Sequence, residues 1–230
     1  MGTFRSELSD EDRKWINQQK LFFVGSAPLS SSGRVNLSPK GYNAFRILSP
    51  NQICYLDLTG SGVETITHLH ENGRMTIMFA AFEGAPKIVR LWCKGTVYPA
   101  GSAEFVKLQA ELYPEFVDAV GVRSIIAGDI LEVGQSCGFG VPMYEFKEPR
   151  QVLINYWGKK SPELVEEYWS NRNAKSIDGI PSLLRQPRTP ATWLRSKLNS
   201  RQDSVGPLTI GLIAGAVISA AILKSNGLTK

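Results

Sequence analysis

The sequence predicts an α+β protein, mainly β: a closed or split β-barrel with peripheral helices and a C-terminal transmembrane helix. Three observations carry this reading. Short strand-like runs recur between turn signals from Leu21 to Phe139, the pattern of a barrel. Helical stretches interrupt them without the regular strand–helix alternation of a doubly wound sheet. Val205–Leu223 is a run of 19 residues without a charge, bracketed by Asp203 and Lys224. As a helix it would rise about 28 Å, close to a bilayer's hydrocarbon thickness.

The 230 residues suffice for one well-buried domain plus additions, and 43% apolar content excludes wholesale disorder. The net charge of +5 is concentrated between Arg172 and Arg201, where seven basic residues face one acid. The rest of the chain is nearly neutral, which argues against a nucleic-acid-binding surface. The charge belongs to a Pro/Ser-rich tether. Cys54, Cys93 and Cys137 form no CxxC pair and read as free thiols of a reducing compartment.

In chain order, Ser9–Asp12 opens a helix through about Gln19, its acids on the favoured first turn. Strands follow at Leu21–Ala27 and Val35–Ser38, separated by the turn Ser30–Gly33. Ala44–Leu48 and Ile53–Leu58 flank Ser49-Pro50-Asn51. A helix spans Val63–Glu71 and stops at Asn72-Gly73. Met75–Phe82 and Ile88–Tyr98 form a long hairpin. Ala103–Leu112 is helical, Ile130–Phe139 is the last strand, and outer helices fall at Gln151–Trp157 and Pro162–Asn171. The expected units are residues 1–20 (N-terminal helix), 21–172 (barrel with outer helices), 173–204 (linker) and 205–223 (tail anchor).

The chemistry gathers between Arg34 and Gly95. Thr59, Gly60, Ser61 and Gly62 present hydroxyls and open amides at a helix start, where an anionic phosphate is readily held. Ser61–Glu64 also matches a capping box, which needs no ligand. Lys40, after Pro39 at a strand end, offers a cation or is simply solvated. Arg90 sits in an apolar strand and requires a partner: a phosphate, an acid or solvent. His68 and His70 are two apart on a helix and face different ways, poor geometry for a metal.

The stretches FFVGSAP, VNLSPKG, YLDLTGSGVET, HENGRMTIMF and RLWCKG resemble the FMN-binding split-barrel superfamily, the pyridoxamine 5′-phosphate oxidase-like family. The likeness covers about half the chain. It implies a homodimer with one FMN at each subunit interface. It places Lys40 and Thr59 on the phosphate, with Gly60, Ser61, Gly62 and Thr65 in the loop and first helical turn. Asn36 and Ser38 fall under the ring or ribityl chain, and Arg90 on a flavin-contacting strand position. The sequence departs from pyridoxamine phosphate oxidases proper. Val35 stands where they carry an arginine, Val63-Glu64-Thr65 replaces their Ser-Arg-Lys loop, and their substrate-binding C-terminal segment has no counterpart after Val141. An FMN-binding oxidoreductase is therefore expected, with an unknown small-molecule electron donor or acceptor and without vitamin B6 oxidation. Deazaflavin or haem occurs among relatives of this barrel. The alternative is a non-catalytic flavin-binding module tethered to a membrane. The tail anchor implies a barrel in the cytosol on the mitochondrial outer membrane or the peroxisome.

Overall fold

The computed structural model describes residues 2–182 and 184. Eight strands form one antiparallel sheet: β1 (Thr3–Arg5), β2 (Phe22–Ser26), β3 (Asn36–Lys40), β4 (Phe45–Ser49), β5 (Gln52–Leu58), β6 (Arg74–Ala80), β7 (Ile88–Pro99) and β8 (Val122–Ser136). Their order is β3-β2-β6-β7-β8-β5-β4, with β1 paired to β8. The two ends of that path, β3 and β4, are consecutive in the chain. Phe22 of β2, Phe45 of β4, Tyr55 of β5 and Phe79 of β6 nevertheless meet, with Phe22 5.2 Å from Phe45 and Phe79 5.0 Å from Phe45. Strands from both ends thus share one core, and the sheet is curled into a barrel.

Strand alternation builds that core. Val24, Ile53, Ile77, Val89, Leu91 and Val133 point inward and are fully buried. Helix α1 (Asp10–Gln18) begins with a capping box, Ser9 and Asp12 bonding reciprocally. Helix α2 (Glu64–Asn72) packs on β2, β6 and β7 through Ile66 and Leu69. Gly95 permits this close approach: a Cβ there would stand 2.7 Å from the Leu69 side chain. On the outer face of β5 and β8, α3 (Ala103–Leu112) and the following turn bury Phe105, Tyr113 and Phe116 against Leu56, Val122 and Ile125. Helices α4 (Val152–Gly158) and α5 (Pro162–Arg172) dock outside, anchored by Trp157 and Val165.

Two expectations are corrected. The fold is an antiparallel, sheet-rich α+β barrel, but the transmembrane helix is not among its elements. No helix of the described residues is long and apolar enough to cross a membrane. The longest, α5, has 11 residues, so it rises about 16 Å where about 30 Å is needed. The anchor expected at 205–223 lies outside the described residues. Membrane attachment, and with it placement on the mitochondrial outer membrane or peroxisome, is withdrawn. Past α5, Asn173, Ser176 and Ser182 are buried.

Candidate functional site

Strand β3 alternates polar and apolar residues so that Asn36, Ser38 and Lys40 share one face. Opposite them on β2 stand Ser26, Val24 and Phe22. Asn36 Nδ2 donates to Thr65 Oγ1 at 3.0 Å and to Ser26 Oγ at 3.5 Å, while Ser38 Oγ donates to Asn36 Oδ1 at 3.3 Å. Ser26 Oγ lies 2.9 Å from Nδ1 of His68, which is fully buried. Its Nε2 finds no partner among the described residues. Burial pushes the imidazole below its ordinary pKa, opposed by Glu71, Glu64 and Asp178 nearby.

Lys40 extends the same stripe, but its ammonium group is engaged. Nζ donates to Asp57 at 2.8 Å, and the other Asp57 oxygen accepts from Arg123 Nε at 2.6 Å and Ser124 Oγ at 3.3 Å. Burial alone would raise the Asp57 pKa. Arg123 and Lys40 outweigh it and hold the carboxyl well below the usual carboxylate range. Two cations against one carboxylate leave the cluster one net positive charge.

The loop from Thr59 to Gly62 is gripped from behind. The Thr59 hydroxyl donates to the Gly121 carbonyl at 2.7 Å and accepts from Trp169 Nε1 at 2.8 Å. The Thr59 carbonyl accepts from Trp157 Nε1 at 2.9 Å. Asn173 Nδ2 donates to the carbonyls of Gly60 and Ser61 at 3.2 and 3.4 Å, and Arg123 Nη1 to that of Gly62 at 2.8 Å. The loop's carbonyls therefore face the protein. Helix α2 starts at Glu64 with Val63 at the N-cap and no side-chain cap, in place of the expected Ser61–Glu64 box. The Glu64 carboxylate accepts instead from the Ile177 amide at 3.2 Å. An uncapped start leaves the first-turn amides of α2, and the helix dipole, available to an anion.

Arg90 stands apart. It pairs with Met78, three residues from Met75, which itself pairs with Ser26. An odd separation puts Arg90 on the opposite face of the sheet from Asn36, where Nη1 donates to Ser136 Oγ at 3.3 Å.

Within one chain, then, the structure joins Asn36, Ser38 and Thr65. It places Gly60, Ser61 and Gly62 just before the helix that carries Thr65. Lys40 is turned to Asp57, Thr59 inward, and Arg90 outward. Sequence reasoning missed Ser26, His68, Asp57, Arg123 and Asn173. Asp57 carried a signal: an acid inside the apolar run Ile53–Leu58 must find a buried cation. Asn173 carried none, since its partners are carbonyls of a distant loop.

The curled antiparallel strands thus carry a polar stripe that ends at a helix without a side-chain cap. The chain belongs to the pyridoxamine 5′-phosphate oxidase family: it is 39% identical over 198 residues to the pyridoxamine 5′-phosphate oxidase family protein ustO of Aspergillus flavus, spanning 80% of this chain and 78% of that protein. No family model matches the sequence. Among solved structures, HupZ from Group A Streptococcus aligns with a TM-score of 0.41 and 17% identity, covering 54% of this chain and 90% of that one. An FAD-binding protein of Mesorhizobium loti aligns with a TM-score of 0.40 and 13% identity, covering 59% and 96%.

Proposed function

We propose that the chain binds FMN as a homodimer and acts as a flavin-dependent oxidoreductase on a small molecule, within the pyridoxamine 5′-phosphate oxidase family. The observation that carries this reading is the continuous polar stripe Asn36–Ser38–Thr65 at the uncapped start of α2. It offers an amide, hydroxyls and open backbone N–H groups to a phosphate and a polyhydroxyl chain. Asn36, Ser38, Gly60, Ser61, Gly62 and Thr65 would hold the phosphate and ribityl portions. The net positive charge of the Lys40–Asp57–Arg123 cluster would favour an anion beside them without direct contact from every member. Arg90, on the other face, would serve the site of a second copy if two barrels pack across that face.

The flavin, when bound, supplies the hydride or electron chemistry. The protein's share is binding, orientation and exclusion of water. Asp57 is held charged between two cations and Thr59 donates to a main-chain carbonyl, so both act by positioning. That engagement supports a second reading, a flavin-binding module without turnover, because Lys40 and Asp57 at the end of the stripe are bound to each other and to Arg123. Purified full-length chain, examined by visible absorption and by mass identification of anything released on denaturation, tests the cofactor. Anaerobic addition of NADH or NADPH then separates the readings: bleaching of the flavin bands supports the oxidoreductase, and unchanged bands support the module.

A further inference from the structure

A cleft of about 750 Å³ opens at the end of the barrel away from α2, and none of the nine residues expected to hold flavin lines it. Its floor is the aromatic cluster of Phe22, Phe45 and Phe79. Its walls are the C-terminal end of α1, the turn Gly41–Ala44, Phe116 and the segment from Phe146 to Ile154. The volume lies within the range of small-molecule sites, and apolar surface predominates on its wall, as is usual for them.

Three further observations bear on what enters it. Tyr42 and Asn43 hold φ of 65° and 23°, a region that non-glycine side chains rarely adopt. The turn is fixed there by Arg46, whose Nη1 donates to the Asn43 carbonyl at 2.6 Å while its guanidinium covers the Tyr113 ring at 4.6 Å. The outer wall is likewise built: the Phe146 amide donates to Glu83 at 2.9 Å and the Tyr144 amide to the Phe82 carbonyl at 2.9 Å. The rim charges are unequal. Glu115 is committed to Arg46 at 2.9 Å, whereas Lys20 and Arg150 have no acidic partner among the described residues.

We propose that this cleft is a second binding site, taking a planar aromatic molecule that carries an anionic group. The ring would lie against Phe22, Phe45 and Phe79, where offset and edge-on aromatic contacts are favourable, with the anion at the rim beside Lys20 and Arg150. The cleft shares no lining residue with the proposed flavin stripe and adjoins it where Phe22 pairs with Lys40.

The test uses the full-length chain and two fluorescent probes of the same ring system, anionic 8-anilinonaphthalene-1-sulfonate and neutral N-phenyl-1-naphthylamine. Both bind the wild-type chain, and saturating FMN displaces neither. The double variant Lys20→Glu/Arg150→Glu, whose exposed sites leave the fold intact, loses about tenfold in affinity for the sulfonate and keeps that for the neutral probe. Phe146→Ala weakens both. Near-UV circular dichroism confirms that each variant retains its packing. Failure of both probes to bind, or sulfonate affinity unchanged by charge reversal, overturns the proposal. Displacement by FMN makes the cleft part of the flavin site and overturns it as a second one. Failure to bind combined with a smaller sedimentation coefficient for Phe146→Glu assigns the cleft to a second copy of the chain, which also overturns it.

Discussion

Lys40 Nζ and Arg123 Nε hold opposite oxygens of the Asp57 carboxylate, at 2.8 and 2.6 Å, so that one acid joins the β3 stripe to the start of β8. Asp57 and Arg123 are both buried, and the partner of a deleted charge would remain in low dielectric. Asp57→Asn should therefore destabilise the chain by about 3–5 kcal/mol, measured by urea unfolding. Lys40→Met should cost clearly less, because Arg123 still satisfies the carboxylate.

The same carboxyl sets an acid limit. Its pKa in the folded chain lies below the ordinary 3.8, so the unfolded chain binds the proton more readily. The stabilisation is full above about pH 4 and is lost as pH falls through that value toward the folded pKa. Thermal melts between pH 7 and pH 2.5 should show wild type losing stability more steeply than Asp57→Asn at the acid end. Parallel curves would contradict the linkage.

His68 gives a second window. Burial lowers its folded pKa below the ordinary 6.5, so its share of stability is complete above that pH and declines as the medium is acidified through it. An NMR titration should place the midpoint of its ring protons below 6.5. A midpoint above 6.5 would mean that the charged form is favoured and the surrounding acids prevail over burial.

Asn173 ties three parts of the site: it accepts from Arg123 Nη1 at 3.0 Å and donates to the carbonyls of Gly60 and Ser61. Asn173→Ala should cost about 1–3 kcal/mol, since it leaves buried groups unpaired. Gly121→Ala should act on the same loop by another route. Its Cβ would meet the Trp157 side chain at 2.7 Å and push it from the Thr59 carbonyl. A shift in tryptophan emission with a loss of about 1–3 kcal/mol is expected.

Much of this barrel was legible from residue pattern. Alternation placed β2 to β7 within about two residues, and α3 spans the Ala103–Leu112 expected of it. β8 was read from Ile130, but it begins at Val122. Its first half, Val122–Ala127, is buried on both faces, with Arg123 and Ser124 turned to Asp57 and α3 packed over Val122 and Ile125, so it lacks the period of two. Three-residue β1 has too few positions to show any period. In the site, polar alternation on β3 revealed Asn36, Ser38 and Lys40. That Lys40 is spent on Asp57, and Thr59 on Gly121 and Trp169, depends on contacts more than 15 residues apart in sequence, which no local spacing encodes.

The central claim is that the stripe of Asn36, Ser38 and Thr65 holds FMN. Its most direct test is equilibrium titration of the full-length chain with FMN, followed by quenching of flavin fluorescence, for wild type and for Asn36→Ala/Thr65→Ala. The account predicts saturable binding by wild type and a loss of about 1–3 kcal/mol, roughly 5- to 150-fold, in the variant at unchanged thermal stability. Equal affinity in the two proteins would contradict it.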